Sequence, residues 1–181
     1  MDRVWYFAYG SNMQTATFCG RRGIEWTRAV AARASGWRLV LDKSPLLPIG
    51  ESFANIVADA ESEVLGVAYE VSVAALEAID LSEGVLIGNY ARCAIGVTPL
   101  AHGSSARPLE AFTLTSDRRD STLVPSTRYM ALLVEGALEH GLPAPYVEFL
   151  RNVPAREPSA VATALRPVVD GAMALLKPRR R

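Results

Sequence analysis

Apolar positions come in short blocks through the first two thirds of the chain and at helical spacing in the last third. The opening block, Val4 to Tyr9, is aromatic and stops at Gly10-Ser11-Asn12, which predicts a strand running into a tight loop. Met13 to Gly23 has room for a short helix. Residues 25–33 and 37–42 read as two strands around Ser35-Gly36, and 45–50, with Pro45, Pro48 and Gly50, as a loop. Phe53 to Ala58 and Val64 to Val71 are again strand-like, the second with clear alternation. Ser72 is placed to cap a helix whose Val73, Leu76 and Ile79 share one face. Asp80 to Val85 is a polar break and a turn. Residues 90–98 and 109–115 predict strands separated by a loop at 101–107. Ser126 to His140 predicts a helix stopped by Gly141 and Pro143, Pro145 to Val153 a second, and 159–176 a third that Pro167 breaks. Roughly six or seven strands followed by helices predict an α+β fold rather than alternating βαβ units. The expected form is a small mixed β-barrel with flanking C-terminal helices.

Composition narrows what such a fold does. With 181 residues, half of them hydrophobic, the chain suits one domain with a core that needs no disulfide or metal support. The expected division is a main domain over 1–155 and a helical extension with a basic tail over 156–181. The 19 basic and 19 acidic residues cancel, which argues against a nucleic-acid or lipid-headgroup binder. The one basic cluster, Lys177 with Arg179 to Arg181, reads as a solubilising tail. Cys19 and Cys93 make no disulfide framework and no metal spacing, so two free thiols are expected. No secretion signal or membrane span is legible, and the expectation is a soluble, cytoplasmic protein.

The usual catalytic motifs are missing. No phosphate-binding glycine loop or dinucleotide fingerprint follows a strand. His102 and His140 lack ligand spacing and are read as solvated surface residues. Gly50-Glu51-Ser52-Phe53-Ala54 has a loop where a nucleophile elbow needs a strand, and β-like residues where it needs a helix. Two segments hold more promise. Backbone N–H groups in the turn Tyr9-Gly10-Ser11-Asn12 can converge on an anion or an oxyanion, although an ordinary strand-ending turn reads the same way. Glu83, flanked by Leu81 and Val85-Leu86-Ile87, is expected against an apolar wall that raises its pKa toward neutrality, as a general base needs; a solvated carboxylate is the plain alternative.

Taken together, Tyr6-Phe7-Ala8-Tyr9-Gly10-Ser11-Asn12-Met13 and Asp80 to Tyr90, with Glu83-Gly84-Val85 and Gly88-Asn89-Tyr90, resemble the gamma-glutamylcyclotransferase-like family. The intervening Ala54-Asn55-Ile56 and Gly66-Val67-Ala68-Tyr69, and the later Ser126-Thr127-Arg128-Tyr129, Gly136-Ala137 and His140-Gly141-Leu142-Pro143, match in order. The resemblance covers about residues 4–153 and has no counterpart for 159–181. It implies a small mixed barrel, often dimeric, that cyclises a gamma-glutamyl group to 5-oxoproline and frees the attached amine or amino acid.

That reaction fits the missing motifs. The substrate's own α-amine attacks its γ-carbonyl, so no protein nucleophile, metal or cofactor is expected. Glu83 is the expected general base and acid. Tyr6, Tyr9, Gly10, Ser11, Asn12 and Tyr129 are the expected substrate-binding residues, with N–H groups at Gly10 and Ser11 for the oxyanion and the Tyr9–Asn12 loop for the α-carboxylate. Asn55 and Tyr90 are expected as more distant lining. Arg92 and Arg128 are candidates for a second carboxylate on the leaving group, against plain surface solvation. The expected partner is a small gamma-glutamyl compound, with no nucleic acid or membrane and with a second copy of the chain as a homodimer. Removal of a gamma-glutamyl protecting group from a biosynthetic intermediate, or a non-catalytic binding module, are the alternatives. Trp26 and Trp37 are read as exposed residues available to an interface.

Overall fold

The computed structural model describes residues 2–100 and 107–177. Five strands close into a barrel in the order β1-β3-β2-β4-β5: β1 (Arg3–Ala8), β2 (Arg28–Lys43), β3 (Phe53–Ser72), β4 (Ala91–Pro99) and β5 (Leu109–Thr115). Neighbours are antiparallel except β1 and β5, whose parallel pairing closes the ring at Trp5↔Ala111 and Tyr6↔Phe112. The barrel is therefore mixed, as expected, but has fewer strands.

The count differs because four expected strands are two long ones. β2 and β3 form one bent ribbon, paired from Arg28↔Glu70 to Lys43↔Phe53, with register shifts at Ser35/Trp37 and Val40/Lys43. Gly36, at φ +80, supplies the first irregularity, so Ser35-Gly36 is a bulge inside a strand rather than a break. The polar run opposite it belongs to β3, but 59–62 have no partner in the ladder, which resumes at Ser35↔Glu63; this stretch is largely exposed, so polarity there carries no stop signal.

Helices seal the barrel's open parts. Helix α1 (Val73–Glu83) starts at Ser72, whose hydroxyl accepts from the Ala75 N–H at 3.1 Å. It buries Ala75, Leu76 and Ile79, while Val73 lies off the expected face and is exposed. Helix α2 (Thr127–Glu139), capped by Ser126, crosses the turn after β1 at Gly136, where a Cβ would stand 2.6 Å from the Gln14 nitrogen. Only a glycine permits that approach. Helix α3 (Ala144–Arg151) packs through Val147 and Leu150. Helix α4 (Ala160–Leu175), capped by Ser159, runs unbroken through Pro167 and contains no buried residue. An interior proline typically costs about 3 kcal/mol of helix stability, yet the expected break is absent.

Other expectations change too. Trp26 and Trp37 are partly buried against the core, Trp26 stacking on Phe18, so neither is an exposed interface residue. His140 is not a solvated histidine: its Nε2 lies 2.8 Å from the Tyr69 hydroxyl, and burial lowers its pKa. Ser52 is fully buried with its hydroxyl donating to the Leu41 carbonyl, which removes it as a nucleophile. Both cysteines are free thiols. His102 and Arg179 to Arg181 lie outside the described residues. Among the described residues no helix is long and apolar enough to cross a membrane.

Candidate active site

β1 delivers the chain to one end of the barrel, and Gly10 passes it into a 3₁₀ turn, Ser11–Met13, closed by the Met13 N–H on the Gly10 carbonyl at 3.0 Å. The turn points the Asn12 side chain inward. Helix α1 ends at the same place: Gly84, left-handed at φ +71, stops it on Glu83, and Asn89 Nδ2 donates to the Glu83 carbonyl at 2.8 Å. The two segments singled out in sequence thus meet. Asn12 Nδ2 donates to Glu83 Oε1 at 2.9 Å and to the Tyr6 hydroxyl at 3.1 Å.

The amide orientation follows from the partners. An ionised carboxylate only accepts, so the NH₂ end must face Glu83, and both its protons are then used. The other end, Asn12 Oδ1, is buried with no hydrogen-bond partner among the described residues. An orphaned buried acceptor typically costs about 1–3 kcal/mol unless something donates to it.

Glu83 is not held by an apolar wall. Leu86 and Ile87 are 83% and 68% exposed. What fixes the carboxylate is Arg22, 7% exposed, whose Nη2 lies 2.7 Å from Oε1 while Nη1 donates to the Ser82 hydroxyl at 2.7 Å. Both contacts with Arg22 and Asn12 fall on the same oxygen.

The tyrosines divide by where their protons go. Tyr9 donates to the Leu114 carbonyl and Tyr90 to the Ala54 carbonyl, so these two brace the wall. Burial raises the pKa of both. Tyr6 accepts from Asn12 and is likewise raised, first by burial and then by the Glu83 charge. Tyr129 accepts from the Ala54 N–H at 3.0 Å. Burial pushes its phenol up to about 12, opposed by hydrogen bonds from the Ala54 and Ser11 backbones. The Ala54 N–H on the Tyr129 oxygen leaves the Tyr129 proton directed elsewhere. Gly10 passes close by: a Cβ there would be 3.2 Å from that hydroxyl.

Asn55 does not line the site. It is fully buried, gives Nδ2 to the Ser116 carbonyl at 2.7 Å and takes the Ser116 N–H on Oδ1 at 2.9 Å. Its amide is spent clamping β3 to the segment after β5. Arg92 also lies elsewhere, paired with Asp80 at 3.2 Å and set over the Phe112 ring.

Two residues at the site carried no sequence signal, Arg22 and Lys43, and a third, Asn89, lies in the Gly88-Asn89-Tyr90 motif without an expected role. Lys43 is 2% exposed, donates to Asn89 Oδ1 and lies 4.6 Å above the Tyr90 ring. Among the described residues no carboxylate lies within ion-pairing distance of it. Burial lowers its pKa to about 8, with the Glu83 charge opposing the shift. These groups share one cavity of about 490 Å³ with Tyr6, Tyr9, Gly10, Ser11, Asn12, Glu83, Tyr90 and Tyr129 on its walls.

The comparisons with known proteins converge on one group. The AIG2-like family model matches residues 63–150. The gamma-glutamyl cyclotransferase aclK of Aspergillus oryzae is 32% identical over 166 residues, covering 82% of this chain. The match spans 60% of that protein's length. A solved gamma-glutamyl cyclotransferase superposes with a TM-score of 0.77 at 23% identity, over 94% of this chain and 99% of its own. An uncharacterised human protein gives 0.76 at 24%, over 93% and 99%. A yeast cyclotransferase specific to glutathione gives 0.59 at 13%, over 83% and 94%. At these identities the solved structures speak for the fold.

Proposed function

With the chain's membership of the gamma-glutamylcyclotransferase-like family as premise, we propose that it converts a gamma-glutamyl amide to 5-oxoproline and a free amine or amino acid. The observation that carries the proposal is the Asn12–Glu83 hydrogen bond, which joins two segments 71 residues apart inside one cavity beside an unsatisfied acceptor.

The residues divide the work as follows. The substrate's α-ammonium is a donor-only group, and Asn12 Oδ1 and Glu83 offer acceptors side by side. Glu83 takes a proton on Oε2, because Oε1 is held by Arg22 and Asn12. The freed amine attacks the γ-carbon, and the new ring C–N bond forms as charge moves onto the γ-oxygen. The Tyr129 proton is available to that oxygen, since the Ala54 N–H occupies the phenol's acceptor side. The tetrahedral intermediate collapses with cleavage of the amide C–N bond as Glu83 returns its proton to the departing nitrogen, and the freed carboxylate then carries the second proton from the ring nitrogen to the released amine. Proton counting closes: the ammonium gives up two protons in becoming the lactam N–H, and the leaving nitrogen gains two in becoming an ammonium. No water is consumed.

The sequence places the expected α-carboxylate site on the Tyr9–Asn12 loop. That loop has no cation, and the cavity's unpaired buried charge near Glu83 is Lys43. We assign the carboxylate to Lys43. Holding both ends of the glutamyl group curls it for ring closure, where a well-oriented intramolecular attack reaches effective molarities of roughly 10⁵ M or more.

Incubation with a panel of gamma-glutamyl amino acids and amides, with 5-oxoproline followed by mass, tests the reading. Turnover is expected, and Glu83→Gln is expected to stay folded and lose about 1,000-fold in kcat, within the usual range for a general acid–base group. Failure of every compound to yield 5-oxoproline overturns it.

A further inference from the structure

The cavity is larger than a glutamyl group requires; about 490 Å³ lies in the range of sites for drug-sized ligands. Its chemistry also changes from one wall to another. The wall around Glu83 is polar and aromatic. Another is built by two segments with little core role of their own, the 45–49 loop and helix α4, whose Met173 Sδ lies 4.0 Å from Arg22 Nη1. Leu46 and Leu47 stand 44% and 50% exposed, and α4 buries nothing while turning Leu165, Val169 and Met173 toward the same space.

These two segments are tied to each other and to the turn region before β2. The Ser159 hydroxyl donates to the Ile49 carbonyl at 2.6 Å, the Ser159 N–H donates to Glu51 at 3.0 Å, and Asp170 pairs with Arg21 at 2.7 Å. The apolar wall is thus held open over the cavity by polar links at its edges.

Charge adds a second feature. Arg21, Arg128 and Arg166 all line the cavity and act on one another, with Glu51 and Asp170 as the acidic groups near them. Asp170 is committed to Arg21 and Glu51 to Ser159. Among the described residues, neither Arg128 nor Arg166 has a carboxylate within ion-pairing distance. Burial, then repulsion from Arg166 and Arg21, lowers the pKa of Arg128. An anion between the guanidiniums relieves that repulsion.

Resting on the cyclotransferase reading, we propose that α4 and the 45–49 loop form a leaving-group subsite for an amino acid with a long apolar side chain, its carboxylate held by Arg166 with Arg128. The body of the leaving group covers Leu47, Leu165 and Val169. A gamma-glutamyl dipeptide then has two carboxylates for two cationic stations, Lys43 for the glutamyl α-carboxylate and Arg166 with Arg128 for the carboxylate beside the scissile nitrogen. The extension after residue 156 becomes a specificity element of the site rather than an appendage.

The test compares three substrates: gamma-glutamyl-leucine, gamma-glutamyl-alanine, and gamma-glutamyl-3-methylbutylamide, which keeps the apolar body and lacks the carboxylate. Gamma-glutamyl-leucine is expected to exceed each of the others at least tenfold in kcat/KM. Arg166→Ala, a change on a helix with no buried residue, is expected to lower the leucine compound about tenfold and leave the amide unchanged. Equal rates for leucine and alanine compounds overturn the subsite while leaving the cyclisation intact, as does an equal loss for leucine compound and amide in Arg166→Ala. If no compound yields 5-oxoproline, the reaction itself is overturned. Calorimetric binding of gamma-glutamyl-leucine then decides the subsite, and affinity that Arg166→Ala does not weaken overturns it.

Discussion

Lys43 carries a charge into a place that offers it an amide oxygen, an aromatic face and no carboxylate. Desolvation without an ion pair is why its pKa falls to about 8. A protein gains nothing in stability from such a group, so its presence points to a ligand. Lys43→Met keeps the length of the side chain and removes the desolvation cost. The expected result is an unchanged or higher melting temperature together with a KM raised at least tenfold, read by thermal scan and initial rates. The pH dependence has a definite sign. Below about pH 8 the free protein holds Lys43 as a cation; above it the charge is lost, and KM should climb with pH. Lys43→Arg keeps its charge through that window, so its KM should stay flat where the wild type rises. None of this is legible in the sequence, where Lys43 falls just past the expected 37–42 strand, at the start of a proline-containing loop. Arg22 was equally silent. Both act on Glu83 through space, across sequence separations that no local pattern records. Glu83 and Asn12 were legible because their flanking residues form recognisable motifs, although the apolar wall expected beside Glu83 was the wrong mechanism for holding it.

Elements carry these residues into register, and one contact between elements matters more than the rest. α2 brings Tyr129 to the cavity and lies directly on the turn that brings Asn12, with Gly136 at the crossing. Gly136→Ala would place a methyl 2.6 Å from backbone atoms of both Met13 and Gln14, which cannot retreat without moving Asn12. Overpacking of this kind typically costs about 1–3 kcal/mol. The expected outcome is a lower melting temperature and a reduced kcat, because the helix and the turn separate. Gly171→Ala in α4 is the control: nothing lies within 4 Å of its Cβ position. Replacing a glycine in an open helix position typically stabilises by about 0.5–1 kcal/mol, so this variant should melt no lower than wild type. The elements most legible in sequence were those with local signals. Ser72, Ser126 and Ser159 each cap the helix expected to follow, with their hydroxyls accepting from the third residue on. The strands were misjudged where a local signal misleads. Gly36 and the polar run at 59–63 look like chain breaks; the pairing of β2 with β3 does lapse at Gly36 and 59–62, yet both strands run through and pair on either side.

Closure of the barrel is a property of the whole molecule, and it explains why fold class was easier to infer than strand number. Alternation identifies which residues face a core; it says nothing of which strand meets which. Here the ring is closed by the parallel pair β1 and β5, the only parallel strands among the described residues, whose register runs just to Tyr6↔Phe112. Past that point side chains continue the seam. The fully buried Thr113 hydroxyl donates to the Phe7 carbonyl at 2.8 Å, and the Tyr9 hydroxyl reaches Leu114. The seam lies one residue before the turn that holds the site, so the same strand both closes the barrel and delivers Asn12. Thr113→Val separates those two duties. It preserves shape but strands the Phe7 carbonyl without that donor in a buried position, a change typically worth about 1–3 kcal/mol. For a chain of this size each kilocalorie lowers the melting temperature by about 2–4 °C. A clear drop in thermal stability is therefore expected. Thr113 is not on the cavity wall, so kcat and KM measured well below the transition should stay near wild type. Kinetic constants that fall in step with stability would instead mean that the closing seam sets the geometry of Glu83 and Asn12 directly, and that the barrel and its active site cannot be perturbed apart.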